Sequence, residues 1–330
     1  MTVLPEKVFF HGSSSSRKVR RILHISGGKD SGAMYLFAKE QQDRHGMEFE
    51  CVFADTGNEH EATLEYVNNL PRMADGPKIT WVRADFSSRI AKRRTFVSSS
   101  SNYSNSARES VLQNLRPTGN PFLDLCCWKG RFPSSYKRFC TVELKIIPAR
   151  EQYIDPLLDA GYSVESWQGV RAEESAERAK LPKRSLEDEN LVIVRPLLNW
   201  SIEKVKKIYR RHNVPMNPLY KLGMFRVGCM PCIMACKEEI FRISKRFPDH
   251  IDRIRQWESI VSKVSRMGAS TFFHKDGMSD EVKANRDLIF QESGIDGMVR
   301  WSRTTRGGKQ FDLLKTMPLS ACQSEYGLCE

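Results

Sequence analysis

A run of six residues near the amino terminus has the side chains and backbone freedom needed to bind a nucleotide phosphate. It follows a short apolar stretch and opens a segment with helical patterning, so it lies where a strand turns into a helix. Two glycines let the backbone approach an anion, and the first amides of the helix would face that anion. A lysine adds positive charge, and an aspartate could hold a divalent ion such as Mg²⁺ between phosphates. The six residues are Ser26, Gly27, Gly28, Lys29, Asp30 and Ser31.

Clustered cysteines form a second group that could do chemistry. The chain has 9 cysteines, an odd number. Cys229 and Cys232 form a C-x₂-C pair, Cys236 follows one helical turn later, and Cys140 lies far upstream. No signal peptide is visible at the amino terminus, so we expect a cytoplasmic protein whose thiols stay reduced. Four such thiolates could hold a [4Fe–4S] cluster or a zinc ion.

The elements around these residues alternate between strands and helices. Short apolar runs predict strands, and segments with helical periodicity between them predict helices. This βαβ pattern indicates an α/β fold with a doubly wound parallel sheet. The predicted strands are residues 21–26, 48–54, 79–84, 164–169 and 191–197, and the early helices are 33–42 and 61–70.

The pattern divides the chain into four parts, and the central α/β part carries a serine-rich insertion. We interpret the insertion as a mobile segment over the site, although a surface loop without function would have the same composition. The parts are a tail (1–19), a nucleotide-binding α/β domain (20–200, insertion about 94–119), a helical cysteine-cluster region (201–267) and an irregular extension (268–330).

Composition adds a weaker indication about partners. Hydrophobic residues are 40% and charged residues 28%, which excludes a disordered or fibrous chain. No apolar run approaches the length of a membrane span, so we expect no membrane partner. The net charge of +12 favours a polyanionic partner such as nucleic acid, although a solvated basic surface would give the same excess. Candidate phosphate contacts are residues 92–94, Lys183 with Arg184, and Lys206 with Lys207.

The six-residue run resembles the PP-loop of the adenine nucleotide α-hydrolases, the ATP pyrophosphatases related to phosphoadenosine phosphosulfate (PAPS) reductases. Two further segments resemble that family in order along the chain, which implies a Rossmann-like fold. Residues 53–59 resemble its second-strand motif, and the resemblance places Asp55, Thr56 and Glu59 beside the nucleotide. Residues 169–175 resemble its later loop, which places Gly169, Arg171 and Glu174 in the phosphate and substrate pocket.

The same resemblance extends to the cysteines. Residues 139–145 resemble a Cys-Thr-x-x-Leu-Lys element that pairs with the downstream C-x₂-C in this family. It implies a [4Fe–4S] cluster on Cys140, Cys229 and Cys232, with Cys236 as the least certain ligand and zinc as the alternative metal. If three thiolates bind, the open iron could hold sulfide. Cys126 and Cys127 could substitute as a ligand, carry a persulfide, or be buried apolar thiols.

The intact phosphate loop favours ATP, cleaved to AMP and pyrophosphate, over a sulfonucleotide. We expect Lys29, Asp30 and Arg171 to be catalytic, with Mg²⁺ on the phosphates. The acceptor would be nucleic acid activated for sulfur transfer, with a cysteine desulfurase as the implied donor. The chain is most similar in kind to the ATP pyrophosphatase of DNA phosphorothioation systems.

Two other functions stay open. The first is a PAPS or adenosine phosphosulfate (APS) reductase that releases sulfite. Those enzymes carry a nucleophilic cysteine in a carboxy-terminal Glu-Cys-Gly-Leu segment, where this chain has Tyr326, with Cys322 and Cys329 nearby. The second is a non-catalytic ATP-binding sensor or defence component, because binding and cleavage use the same loop.

Overall fold

Six strands form a single sheet in the order β3-β2-β1-β4-β6-β5 in the computed structural model, which describes residues 17–273 and 279–304. All the strands run parallel except β5, which pairs antiparallel with β6. The strands are β1 (Val19–Ile25), β2 (Glu50–Asp55), β3 (Ile79–Arg83), β4 (Ser163–Trp167), β5 (Arg184–Asp188) and β6 (Leu191–Val194).

The chain builds the sheet outward from its centre in two directions. It runs from β1 to β2 and β3 on one side, then returns to place β4 on the other side of β1. Open α/β sheets bind ligands at such a reversal, outside the carboxyl ends of the strands. The predicted phosphate loop follows β1 and the loop containing Gly169 follows β4, so both predicted segments lie at this crevice.

The helices cover both faces of the sheet and form an additional helical layer, which confirms the predicted doubly wound α/β fold. One long helical segment, α6, spans residues 139–159. The other helices are α1 (Lys29–His45), α2 (Glu61–Met73), α3 (Ser87–Ser99), α4 (Asn105–Asn114), α5 (Pro121–Lys129), α7 (Ala176–Ala179), α8 (Ile202–Arg211), α9 (Lys237–Arg246), α10 (Pro248–Val264), α11 (Asp280–Ala284), α12 (Arg286–Ser293) and α13 (Ile295–Ser302).

Alternating side chains on the strands bury two apolar layers. Leu23 and Ile25 of β1 face a core formed with α1, α2 and α8, whereas Ile22 faces a smaller core that contains Ala149 and Ile154 of α6. This is the period of two expected of a strand covered on both faces. The sheet is therefore enclosed between α1 and α6, and its carboxyl edge is left for the site.

The α6 segment is irregular for a local reason. Two stretches within it, Val142–Ile146 and Arg150–Ile154, have π-helical hydrogen bonding. Pro148 and Pro156 follow these stretches, and proline lacks an amide hydrogen and clashes with the carbonyl four residues earlier. The wider turns accommodate this defect, and Lys145 lies in the first of them.

The serine-rich insertion is helical, which differs from the mobile loop expected from its sequence. It comprises the end of α3 and all of α4, and Val97, Val111 and Leu115 are at most 2% exposed in the helical core. Ser104 caps α4 by accepting a hydrogen bond from the Ala107 amide at 3.2 Å. These three apolar residues are too sparse among serines and asparagines to show a helical period.

The carboxy-terminal segment also differs from the irregular extension that the sequence predicts. Residues 280–302 form α11, α12 and α13, and Ile295 is buried in the helical core. Cys322, Tyr326 and Cys329 lie outside the described residues, as does most of the predicted amino-terminal tail. Within the described ranges, no helix is long and apolar enough to cross a bilayer.

Candidate nucleotide and cysteine site

The phosphate loop is held in shape by its own serines. The Ser26 and Ser31 hydroxyls lie 3.0 Å apart, and the Ser31 hydroxyl donates to the Gly28 carbonyl at 3.1 Å. Gly27 has a φ of +79°, and a Cβ there would lie 2.6 Å from the Thr63 Cγ2 atom. Only glycine satisfies both conditions, so this backbone conformation of the loop requires Gly27.

The loop opens α1 at a helix end suited to anions. Gly28 is the N-cap residue and supplies no side-chain hydrogen bond to the helix. Two tyrosines fix the following residue: the Lys29 amide donates to the Tyr220 hydroxyl at 3.0 Å, and the Tyr209 hydroxyl donates to the Lys29 carbonyl at 2.9 Å. Because the loop lies at the amino-terminal end of α1, the positive end of the helix dipole points at the space in front of the loop.

Asp30 is completely buried between two cations. Its Oδ1 atom accepts from Arg171 Nε at 2.6 Å, and its Oδ2 atom lies 3.1 Å from Lys29 Nζ. In the structure this carboxylate orients Lys29 and Arg171, two of the predicted catalytic residues, beside the phosphate loop. Its role as a magnesium ligand stays a prediction.

Glu174 organises the loop that follows β4. One of its oxygens accepts from the Arg171 amide at 3.2 Å and from the buried Arg178 guanidinium. Its other oxygen lies 4.0 Å from Lys29 Nζ. A Cβ on Gly169 would come within 3.0 Å of the Ser31 backbone, so this loop packs directly on the start of α1. The structure thus brings Gly169, Arg171 and Glu174 to the phosphate loop.

The second-strand motif contacts the cysteines. Thr56 donates from its hydroxyl to Glu59 Oε1 at 2.6 Å, and Glu59 forms an isolated antiparallel bridge with Cys229. The Cys229 Sγ atom lies 3.6 Å from the Thr56 hydroxyl and 3.9 Å from Glu59 Oε1. Asp55 instead accepts from the Gly57 amide at 2.9 Å. Thr56 and Glu59, expected beside the nucleotide, therefore also support the C-x₂-C segment.

Three of the four predicted thiolate ligands line one cavity. Cys140 from α6 meets Cys229 and Cys232 there, together with Lys145 and Arg226. The Arg226 guanidinium donates to Cys232 Sγ at 3.5 Å. Burial raises the pKa of the Cys229 thiol well above its usual range, and the charge of Lys145 opposes that shift. The nearby cations would stabilise thiolates, as metal ligation requires.

The other cysteines lie differently. Cys236 is the N-cap residue of α9, where its amide donates to Glu239 at 2.9 Å, and it is not among the residues lining the cavity. Cys51, Cys126 and Cys127 are buried in apolar cores.

The spacing of the cysteines bears on which metal they fit. Zinc would hold its thiolates about 3.8 Å apart, given a Zn–S bond of about 2.3 Å in tetrahedral geometry. Within the part of the chain that is described, the one set of three donor side chains close enough to share a metal ion is His60, Glu61 and His250, whose donor atoms lie within 4.8 Å of one another. The choice between a [4Fe–4S] cluster and zinc at the cysteines stays a prediction.

Lys145 connects the two halves of the site. It lines the cysteine cavity and also a neighbouring cavity beside Ser26, which is bounded by the ends of β1 and β2. We call this neighbour the nucleotide cavity because it adjoins the phosphate loop. Sequence reasoning quoted Lys145 only as part of a motif, and it missed Tyr220 and Arg226 as site residues. Their signal was their position within residues 217–220 and 226–229, two segments that resemble the carboxy-terminal half of PAPS-reductase-like proteins.

Three of the seven candidate phosphate contacts, Arg93, Arg94 and Arg184, are used inside the protein, and the nucleic-acid partner stays a prediction. Arg93 donates to the Trp128 and Val264 carbonyls at 2.8 and 2.7 Å, and Arg94 donates to the Leu115 carbonyl at 2.8 Å. Arg184 pairs with Glu165 at 2.5 Å, and Lys206 pairs with Glu203 at 2.7 Å. Basic runs in the sequence did not distinguish Arg93, Arg94 and Arg184, which make internal contacts, from exposed cations such as Lys206.

A phosphate loop held by its own serines at the crevice of a doubly wound sheet defines a nucleotide-binding α/β protein. Residues 20–235 match the model of the phosphoadenosine phosphosulfate reductase domain. The chain belongs to this family.

The chain is similar to two curated proteins and to one solved structure. An uncharacterized 37.8 kDa protein of Escherichia phage 186 is 42% identical over 94% of this chain and 96% of its own length. The adenosine 5'-phosphosulfate reductase of Allochromatium vinosum is 38% identical over 27% of this chain and 38% of that enzyme. The structural match to the PAPS reductase of Candida auris, solved as a phosphate complex, covers 64% of this chain and 82% of that enzyme's chain. Its TM-score is 0.40 and the sequence identity is 14%.

Proposed function

We propose that the protein is an ATP pyrophosphatase of the PAPS reductase family that activates an acceptor for sulfur transfer. The single observation that carries this proposal is the intact phosphate loop with Lys29 and Arg171 fixed on Asp30. Cleavage of ATP between its α- and β-phosphates releases pyrophosphate, whose negative charge must be stabilised. A preformed loop with two oriented cations supplies that stabilisation without reorganisation.

The residues divide the work as follows. The backbone of Gly27 and Gly28 and the hydroxyls of Ser26 and Ser31 cradle the leaving phosphates of MgATP. Lys29 and Arg171 stabilise the charge that develops on the pyrophosphate. An acceptor oxygen attacks the α-phosphorus, forms an acceptor–AMP ester and expels pyrophosphate, and Mg²⁺ enters as part of the substrate.

Cys140, Cys229 and Cys232 would hold the iron–sulfur cluster. When bound, such a cluster can carry a sulfide on an iron that lacks a protein ligand. The cavity these cysteines line adjoins the nucleotide cavity through Lys145, so sulfur would arrive next to the activated acceptor. The proposed acceptor is nucleic acid, and a cysteine desulfurase is the proposed source of sulfur.

The proposal is tested by measuring pyrophosphate released from ATP by the anaerobic protein with candidate nucleic acids. Lys29→Ala and Arg171→Ala should each reduce release by at least a hundredfold. Lys263→Ala, which removes an exposed lysine near the end of α10, is the matched control and should leave release unchanged. Absence of pyrophosphate from the wild-type protein with every acceptor would contradict the proposal.

A second candidate is reduction of a sulfonucleotide to sulfite. It is favoured by the family match and by the partial likeness to an APS reductase. The same protein incubated with PAPS or APS and a thiol reductant distinguishes the two. Sulfite release without pyrophosphate release from ATP would establish the reductase in place of the pyrophosphatase.

A further inference from the structure

A second cavity lies on the face of the sheet that is covered by α6. Its apolar walls come from two directions: Ile146 and Ile154 belong to α6, and Leu191 and Ile193 belong to β6. It shares His24 and Ala149 with the nucleotide cavity, so the two cavities are neighbours beneath the phosphate loop. We call it the β4 cavity because Ser166 and Gln168, at the end of β4, line it.

Gln168 supplies an unused hydrogen-bonding group in the β4 cavity. The residue follows β4 and is only 4% exposed, and its backbone amide donates to the Val194 carbonyl at 2.9 Å. Its side-chain Oε1 atom is buried and has no hydrogen-bond partner among the residues the structure describes. Buried amides are nearly always paired, because leaving one unpaired costs free energy. An unpaired amide that lines a cavity points to a ligand that pairs with it.

Of the other polar groups in the β4 cavity, Glu187 is an exposed carboxylate of β5, and the rest are neutral or already paired. His24 Nε2 lies 2.9 Å from the Ser166 hydroxyl, and burial lowers the pKa of His24 to about 4. The ring is therefore uncharged at neutral pH and has one donor and one acceptor. Arg150 pairs with Asp155 at 2.7 Å. This environment suits an uncharged polar ligand better than a phosphate.

We propose that the β4 cavity binds a nucleobase, and that it holds a base of the acceptor strand beside the bound ATP. A base has flat faces that pack between apolar side chains, and its edge carries adjacent donors and acceptors that match an amide. Gln168 meets that edge, with His24 and Ser166 as further partners. The assignment to the acceptor rests on the proposed function, whereas base binding itself does not.

The test measures nucleoside binding to the full chain by isothermal titration calorimetry. The four ribonucleosides are titrated with and without a saturating non-hydrolysable ATP analogue. We expect saturable binding of at least one nucleoside, one per chain, in both conditions. Gln168→Leu should weaken it at least tenfold and should leave the melting temperature unchanged or raised, because it removes an unpaired amide. Gln41→Leu, at a buried glutamine of α1 on the opposite face, is the matched control.

The outcomes separate the sources of the base. If the ATP analogue competes with the nucleoside, and Gln168→Leu weakens the analogue as well, the cavity holds the adenine of ATP and the acceptor assignment fails. Unchanged nucleoside affinity in Gln168→Leu, a lowered melting temperature in that variant, or no binding by the wild-type protein would overturn the base site. Nucleoside binding without any pyrophosphate release would instead reject the proposed reaction and leave the base site standing.

Discussion

The carboxylate of Asp30 is enclosed by Lys29 and Arg171 where the phosphate loop becomes α1. The loop residues could be predicted from the sequence because they are consecutive and because glycine, serine and lysine have clear roles there. The pairing of Asp30 with Arg171 could not, because it joins positions 141 residues apart. The sequence therefore indicated only a metal ion as a partner of Asp30, and the structure adds its role in orienting Lys29 and Arg171.

This pairing predicts that removing Arg171 alone destabilises the protein more than removing the charges of Asp30 and Arg171 together. Arg171→Met should lower the free energy of unfolding by about 3 kcal/mol, because it leaves the buried Asp30 carboxylate without its closest partner. The double variant Asp30→Asn with Arg171→Met should recover part of that loss, because the uncompensated charge is gone. Urea denaturation of the two variants and the wild-type protein measures the difference. A double variant no more stable than Arg171→Met would show that the ion pair does not control stability here.

At the scale of elements, helices and strands could be predicted where their apolar residues recur with a regular period. The strands and helices from β1 to β3 have clear apolar periods, and the structure confirms them. The α6 helix was missed because its two prolines and π-helical turns disturb the 3.6-residue period. The β5 strand was missed because it is a largely exposed edge strand of polar residues. Elements stabilised mainly by tertiary contacts leave little local signal.

Arg93 of α3 ties three helical elements together, which predicts a structural rather than a nucleic-acid-binding phenotype. Its guanidinium donates to carbonyls at the end of α5 and to Val264 at the end of α10. Arg93→Ala should therefore lower the free energy of unfolding by about 2 to 3 kcal/mol, because several carbonyls lose a charged donor. Lys92→Ala, at the exposed neighbouring residue, should have little effect. Chemical denaturation compares them, and equal stability of the two variants would contradict this role.

Glu258 of α10 connects two other elements and predicts a dependence of stability on pH. It accepts from the Phe272 amide at 2.8 Å and from the Ile295 amide at the start of α13, and burial raises its pKa to about 7. The folded protein thus binds this proton more tightly than the unfolded chain, whose ordinary value is 4.5. Its contribution to stability is complete below pH 4.5 and is lost as the pH rises through 7.

Glu258→Gln isolates this effect because glutamine keeps the acceptor and does not ionise. Relative to the wild-type protein, the variant should gain about 1 to 3 kcal/mol of stability between pH 5 and pH 8. Urea denaturation at both values gives the difference directly. An identical pH dependence in the two proteins would show that Glu258 does not titrate in this range.

At the scale of the whole molecule, the fold places a nucleotide cavity and a cysteine cavity on either side of Lys145. No local pattern could predict this, because the two cavities combine the ends of β1 and β2 with α6 and the segment around Cys229. The π-helical turn that contains Lys145 sets the position of its side chain between them. The proposed reaction needs this arrangement, since activation and sulfur delivery must meet at one acceptor.

Through Lys145, ATP binding should therefore change the reactivity of the cysteines. Its charge lowers the pKa of both the Glu59 carboxyl and the Cys229 thiol, against the larger effect of burial. In the wild-type apoprotein, we expect ATP to change the rate of cysteine alkylation by iodoacetamide severalfold. The reason is that the ATP phosphates attract the Lys145 ammonium group, whose charge otherwise acts on the Cys229 thiol. Lys145→Met should react more slowly and should no longer respond to ATP. Alkylation at each cysteine is followed by mass spectrometry of peptides.

Two matched variants make this last prediction specific to position and charge. Lys145→Arg keeps the charge, so its alkylation should still respond to ATP. Lys206→Met removes a lysine from the exposed face of α8, so it should behave as the wild-type protein does. A full response to ATP in Lys145→Met would show that the cavities are adjacent but independent. A loss of response in Lys145→Met together with retained ATP affinity would instead locate the coupling in this one side chain.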